Sequence, residues 1–125
     1  MNPQQQYSFE KLRVWQGARE LAKQVYLAST NFPQRELYGL TSQCNRAAVS
    51  VAANLAEGTS RRSRKDQAHF SEIAYGSLTE LACLLILAKD IGVLSENLEA
   101  DLRGTIEHVS AQLNALHRSQ RTRSD

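Results

Sequence analysis

The residues of this 125-residue chain whose type and spacing stand out for chemistry are two runs of cations. Arg61-Arg62-Ser63-Arg64-Lys65 holds four bases and no acid, and Arg118, Arg121 and Arg123 add three more within a short C-terminal run. Clusters of this kind bind phosphate backbones by neutralising charge and releasing counterions; the bland alternative is a solvated loop that keeps the chain in solution. No aromatic residue interleaves with either basic run, so a platform for stacking single-stranded bases is not indicated. His69, His108 and His117 lack a metal-binding spacing such as H-x-x-x-H. Asp66 and His69 stand one helical turn apart, but a di-metal carboxylate bundle needs two such pairs and two further carboxylates. No metal site is expected.

Other catalytic chemistries find no footing. Cys44 and Cys83 form no C-x-x-C pair, have no recognisable histidine partner, and read as small buried hydrophobes of a reducing compartment. No serine sits in G-x-S-x-G, and neither phosphate-cradling glycine pattern occurs. Glu57 and Glu80 lie in apolar helical sequence, where an ion pair with Arg46 is a better expectation than acid–base work. The reading is a non-enzymatic protein without cofactors.

The elements that must position the basic runs are helices. Val14, Ala18, Leu21, Ala22 and Val25 form one stripe of a first helix, about Phe9 to Thr30, which Asn31-Phe32-Pro33 ends. Leu37, Leu40, Cys44, Ala48, Val51 and Leu55 align on a second, about Arg35 to Glu57, with Gly58 placed for a left-handed C-cap. The third opens at Ser63-x-x-Asp66, which resembles a capping box, and Gly92 closes it. Ser95 suits the N-cap of a fourth, where Leu98, Leu102, Ile106, Val109, Leu113 and Leu116 step by threes and fours as a bundle seam. No segment alternates with period two. The expected fold is all-α: an antiparallel up-down four-helix bundle with short loops. An N-terminal tail occupies residues 1–8, the bundle 9–117 and a basic C-terminal tail 118–125. The bases at 61–65 would then project from one end of the bundle.

Composition agrees: 42% apolar, 22% charged and only two prolines is globular usage, and one domain of this size hides roughly two thirds of its unfolded surface. Outside the two basic runs the chain carries 8 bases against 13 acids, so positive charge is concentrated in two places. The longest apolar run, Leu81 to Ala88, is too short to span a membrane, and Met1 to Gln6 has neither part of an export signal. A cytoplasmic protein is expected. That run wraps the whole third helix, and the outer face of the second carries Arg46, Ser50, Ala53 and Glu57. A helix apolar all round is buried on more than one side, so a homo-oligomer is favoured over a solvated face.

The second helix also carries a recognisable pattern. Gln43-Cys44-Asn45-Arg46-Ala47-Ala48-Val49-Ser50-Val51-Ala52-Ala53-Asn54-Leu55-Ala56-Glu57-Gly58 resembles the signature of four-helix-bundle proteins encoded in intervening sequences of bacterial large-subunit ribosomal RNA genes. The flanking blocks fit as well: Phe9-Glu10-Lys11-Leu12 with Val14-Trp15-Gln16, Phe32-Pro33, Glu36-Leu37-Tyr38-Gly39-Leu40, and Gly76-Ser77-Leu78 with Glu80-Leu81. The resemblance covers about Phe9 to Leu116 and implies a homopentamer with a central channel. The chain is also similar to the accessory variability protein of diversity-generating retroelements, a basic pentameric bundle that binds nucleic acid and a reverse transcriptase. By position Arg46, Asn54, Glu57, Gly58, Gly76, Ser77 and Glu80 match the signature. The family often has Arg-Arg where this chain has Asn45-Arg46, so the motif carries one cation fewer and the case for this helix touching nucleic acid is weaker.

Three roles follow as expectations. The first is RNA or DNA binding through Arg61, Arg62, Arg64 and Lys65, with Arg118, Arg121 and Arg123 as a second contact. The second is an oligomeric scaffold that recruits a protein partner. The third is a small ligand held near Arg46, Asn54 and Glu57 between subunits.

Overall fold

A computed structural model describes residues 6–122, which contain four α-helices and no strand. We number them α1 (Arg13–Ser29), α2 (Ser42–Thr59), α3 (Arg64–Asp90) and α4 (Glu96–Thr122). Each packs on its chain neighbours and α4 closes back on α1, giving the expected up-down bundle. Val14, Ala18, Leu21 and Val25 from α1 meet Cys44, Ala48, Val51 and Leu55 from α2 in one core. Leu78, Leu81 and Leu85 from α3 and Leu102, Val109 and Leu113 from α4 complete it. Most of the stripes read from the 3–4 spacing are the ones that are buried.

The boundaries differ in instructive ways. A short 3₁₀ turn, Ser8–Lys11, precedes α1, because the backbone is extended at Leu12 and interrupts the first helix. The second helix does not begin at Arg35. A 3₁₀ turn at Gln34–Glu36 and a wide turn at Leu37–Thr41 come first, and Gly39 inside the latter leaves helical geometry at φ −109°, ψ −111°. A residue without Cβ tolerates that departure, and Leu37 is consequently exposed rather than part of the stripe.

Gly58 is not a left-handed cap. Gly92, at φ +86°, is the one glycine with positive φ among the described residues, and it closes α3 with Val93 N–H donating to Ala88 C=O at 3.0 Å. Gly58 lies inside α2, where a Cβ would stand 3.1 Å from Phe70 Cβ, so its role is close approach of α2 to α3. Ser63 caps α3 as expected, its Oγ accepting from Asp66 N–H at 3.0 Å, and Ser95 Oγ accepts from Leu98 N–H at 3.1 Å.

Two expectations about burial are corrected. Leu98 is 41% exposed, and Glu99 beside it is buried at 5% instead, paired with Arg103 Nε at 2.9 Å and Lys89 Nζ at 3.6 Å. The seam therefore begins at Leu102, and the carboxylate ties the start of α4 to the end of α3. Cys44 is buried but Cys83 is exposed; α3 turns Cys83 outward while Leu81, Leu84, Leu85 and Ala88 face inward. More of α3 is apolar than the eight-residue run suggests. An 18-residue stretch of it has mean hydropathy 1.4, enough to cross a membrane by length and composition alone, and only 33% of that stretch is buried in the protomer.

Candidate nucleic-acid interface

The antiparallel arrangement brings the start of α1, the end of α2, the start of α3 and the end of α4 to one end of the bundle. The α2–α3 connection, Ser60 to Ser63, lies there. Arg61, Arg62 and Lys65 are exposed, and Arg64 is half-buried as the first residue of α3. The last helix runs past the expected end of the bundle at 117, so Arg118 and Arg121 are on α4 rather than on a tail; Arg123 lies outside the described residues. Tertiary contacts hold this end of α4 against α3. Ser71 Oγ donates to Gln120 Oε1 at 2.8 Å, and His117 Nε2 lies 3.1 Å from Glu72 Oε1.

The two basic runs, 53 positions apart between Lys65 and Arg118 in the chain, thus meet. Between α3 and α4 lies an open cleft of about 500 Å³ lined by Arg64, Lys65, His69, Glu72, Gln120 and Arg121. Three cations face it against the single carboxylate Glu72. Arg64 and Lys65 also occupy the first turn of α3, at the positive end of its dipole. Cations there weaken the helix slightly and add to its field, which concentrates positive potential at this end.

Arg61 is partly committed to the fold. Its guanidinium pairs with Glu57 Oε2 at 3.2 Å and lies 4.7 Å above the Phe70 ring, while its C=O accepts from Gln67 Nε2 at 2.9 Å. Each of those contacts shapes the connection, and they leave Arg62 and Lys65 as its more available cations. Glu72 and Gln120 enter no site reading of the sequence, and His69 enters only as a metal ligand beside Asp66. Lys65, His69 and Glu72 do step by four and three along one helix face, a signal present in the chain; Gln120 joins them through tertiary packing alone.

The signature residues separate into two sets. Arg46, Ala53 and Glu57 are exposed on the outer face of α2, as expected, but Ser50 is not with them. It packs at the α2–α3 seam, Oγ 2.8 Å from Ser77 Oγ, and Asn54 Nδ2 donates to Ser50 C=O and Oγ at 2.8 and 3.0 Å. Val49 takes the outward place. Glu57 pairs with Arg61 rather than with Arg46. Asn54 instead lines a groove with Leu12, Gly58 and Gln67, so Arg46, Asn54 and Glu57 do not gather around one ligand within the protomer. Glu80 and Glu57 are both exposed, and Gly76 and Glu80 share an outward stripe of α3 with Ile73, Cys83 and Leu87. Asn45, where the resemblance would place a second arginine, joins α1 to α2: its Nδ2 donates to Ser29 Oγ at 2.9 Å and Thr41 C=O at 2.8 Å.

Burial raises the Cys44 thiol to about 11 from 9.0. An apolar setting that suppresses the thiolate makes it a poor nucleophile. Among the described residues no three histidine, cysteine or carboxylate side chains gather as a metal site.

Comparison with known proteins bears on the fold and lineage. Residues 10–115 match the sequence model of the 23S rRNA-intervening sequence protein family. Among solved structures, a protein of unknown function from the S23 ribosomal protein family of Bacteroides thetaiotaomicron aligns with a TM-score of 0.75 at 18% identity, over 84% of this chain and 98% of its own. At that identity the likeness is one of fold. No curated protein matches the chain.

Proposed function

The chain belongs to the 23S rRNA-intervening sequence protein family, and from that premise we propose that it is a non-enzymatic homo-oligomer that binds RNA or DNA through phosphate contacts at the loop end of each bundle. What supports the reading is the gathering of Arg61, Arg62, Arg64, Lys65, Arg118 and Arg121 at that one end. Symmetry would repeat the charged end once per subunit, a ring of guanidinium and ammonium groups for a homopentamer, the number the resemblance implies. Contacts of this kind read backbone and shape rather than base identity.

Fluorescence anisotropy with a structured RNA and a duplex DNA tests it. With four phosphates neutralised per protomer, binding on B-DNA should weaken ~150-fold between ~50 and ~200 mM salt, a log–log slope near ~−3.6. Replacing both Arg62 and Lys65 by Gln should flatten the slope by about 2, roughly one per lost phosphate contact. An unchanged slope would sink the assignment.

A second reading, a scaffold that recruits a protein partner, is favoured by one observation at the opposite end. Tyr26, Leu27 and Leu37 are exposed there beside Tyr38, which is 93% exposed. It predicts a specific partner and no nucleic acid retained at moderate salt.

A further inference from the structure

We propose that the charged end prefers single-stranded to duplex nucleic acid, and that Tyr7 is the platform on which an unpaired base stacks. The inference rests on the phosphate-binding reading above and names the class of polynucleotide it takes. The basic runs contain no aromatic residue, but the fold brings some from elsewhere to the same end. The Tyr7 ring lies parallel to Phe9, with centroids 5.5 Å apart and planes 5° from coplanar. Phe9 in turn meets Trp15 edge-on at 4.9 Å, and the Arg19 guanidinium covers Trp15 at 5.6 Å. The outermost ring is open: Tyr7 is 69% exposed.

The stack is held in place before any ligand arrives. Tyr7 N–H donates to Glu10 Oε1 at 2.9 Å, Glu10 N–H donates to Tyr7 C=O at 3.0 Å, and Gln16 Nε2 donates to Glu10 C=O at 2.8 Å. This turn packs against α2, the helix that runs directly into the basic connection. Leu12, at its end, lines a groove with Gly58, Thr59 and Gln67, and Gln67 is bonded to the main chain of Arg61. An exposed ring backed by rigid aromatic neighbours offers stacking at little entropic cost. Bases inside a duplex are already stacked on each other and cannot lie on such a ring; unpaired bases can. Rings and cations at one end therefore make the two halves of a single-strand site.

The experiment is equilibrium anisotropy of labelled oligouridine and oligothymidine against RNA and DNA duplexes of equal length. It is run on the full-length protein, on Tyr7→Ala and Tyr7→Phe, and on the Arg62→Gln, Lys65→Gln double variant. The wild type should bind the single strands more tightly than the duplexes. Tyr7→Ala should lose about 5- to 150-fold on single strands, with the salt slope and duplex binding unchanged, and Tyr7→Phe should retain the affinity. The capping hydrogen bonds of Tyr7 use its main chain, so the alanine variant keeps the turn, and Trp15 emission monitors that. The two sugars report which polynucleotide is preferred. If Tyr7→Ala binds single strands as the wild type does, or if duplexes bind more tightly, the stacking inference falls while the phosphate reading stands on the double variant's slope. If no probe binds at low salt, both fall.

Discussion

Cys44 and Cys83 share a residue type and differ in everything the fold imposes on them. Cys83 faces outward on the α3 stripe that a subunit contact would cover, so it should be alkylated quickly in the dissociated Leu87→Glu protomer and slowly in the wild-type oligomer. Cys44 should react only on unfolding, and mass spectrometry after brief iodoacetamide treatment will read both differences. Burial holds the Cys44 proton up to about pH 11, against 9.0 for a solvated thiol. The folded state therefore keeps its proton where the unfolded chain would lose it. The stability associated with the neutral thiol is full below pH 9.0 and falls as pH rises towards about 11. Denaturant unfolding of the wild type and Cys44→Ala across that interval should show their difference shrinking. Helical spacing points Cys44 into the core; it places Cys83 in an all-round apolar run whose inward side only the packing of α3 selects.

At the scale of elements, two glycines of the signature do opposite things. Gly58 sits where α2 approaches α3, and an added Cβ would meet Phe70 Cβ at 3.1 Å, an atom fixed to the backbone that cannot rotate away. Gly58→Ala gains about 0.5–1 kcal/mol of helix preference, but relieving the overlap costs about 1–3 kcal/mol. The variant should unfold at lower urea. Gly76 has nothing within 4 Å of such a Cβ and lies in the middle of α3. Gly76→Ala should stabilise the protomer by about 0.5–1 kcal/mol. From the chain alone both read as motif residues, and Gly58 also as a helix stop; contact with Phe70 decides its role.

At the scale of the molecule, α2 and α3 carry the unpartnered surface. Arg46, Val49, Ala53 and Glu57 mark the outer face of α2, and Ile73, Gly76, Glu80, Cys83 and Leu87 that of α3, with the Ser50–Ser77 contact between the two helices. Leu87 is 48% exposed and tests whether this face meets another subunit. Light scattering should give the wild type a mass several times the 14.0 kDa protomer. Leu87→Glu should reduce it to a protomer of unchanged helicity, because a buried unpaired carboxylate is costly at an interface and harmless in water. A wild type of protomer mass would overturn the oligomer.

The sequence by itself determined the four helices, most of their buried stripes, the Ser63 and Ser95 caps and the two-part segregation of basic charge. These depend on spacing along one chain, and the period of 3.6 converts spacing into a face without reference to anything else. It also carried enough ordered motif blocks to resemble the family that the match over residues 10–115 confirms. Only the tertiary structure decided that Ser50 belongs to the α2–α3 seam, that Glu99 rather than Leu98 is enclosed, and that Glu57 takes Arg61. It alone brought Arg121 and Gln120 to Lys65, and the Tyr7 stack to the same end. Those outcomes depend on which faces of separate helices meet and at what height, a matter of packing between residues far apart in the chain that no local periodicity encodes.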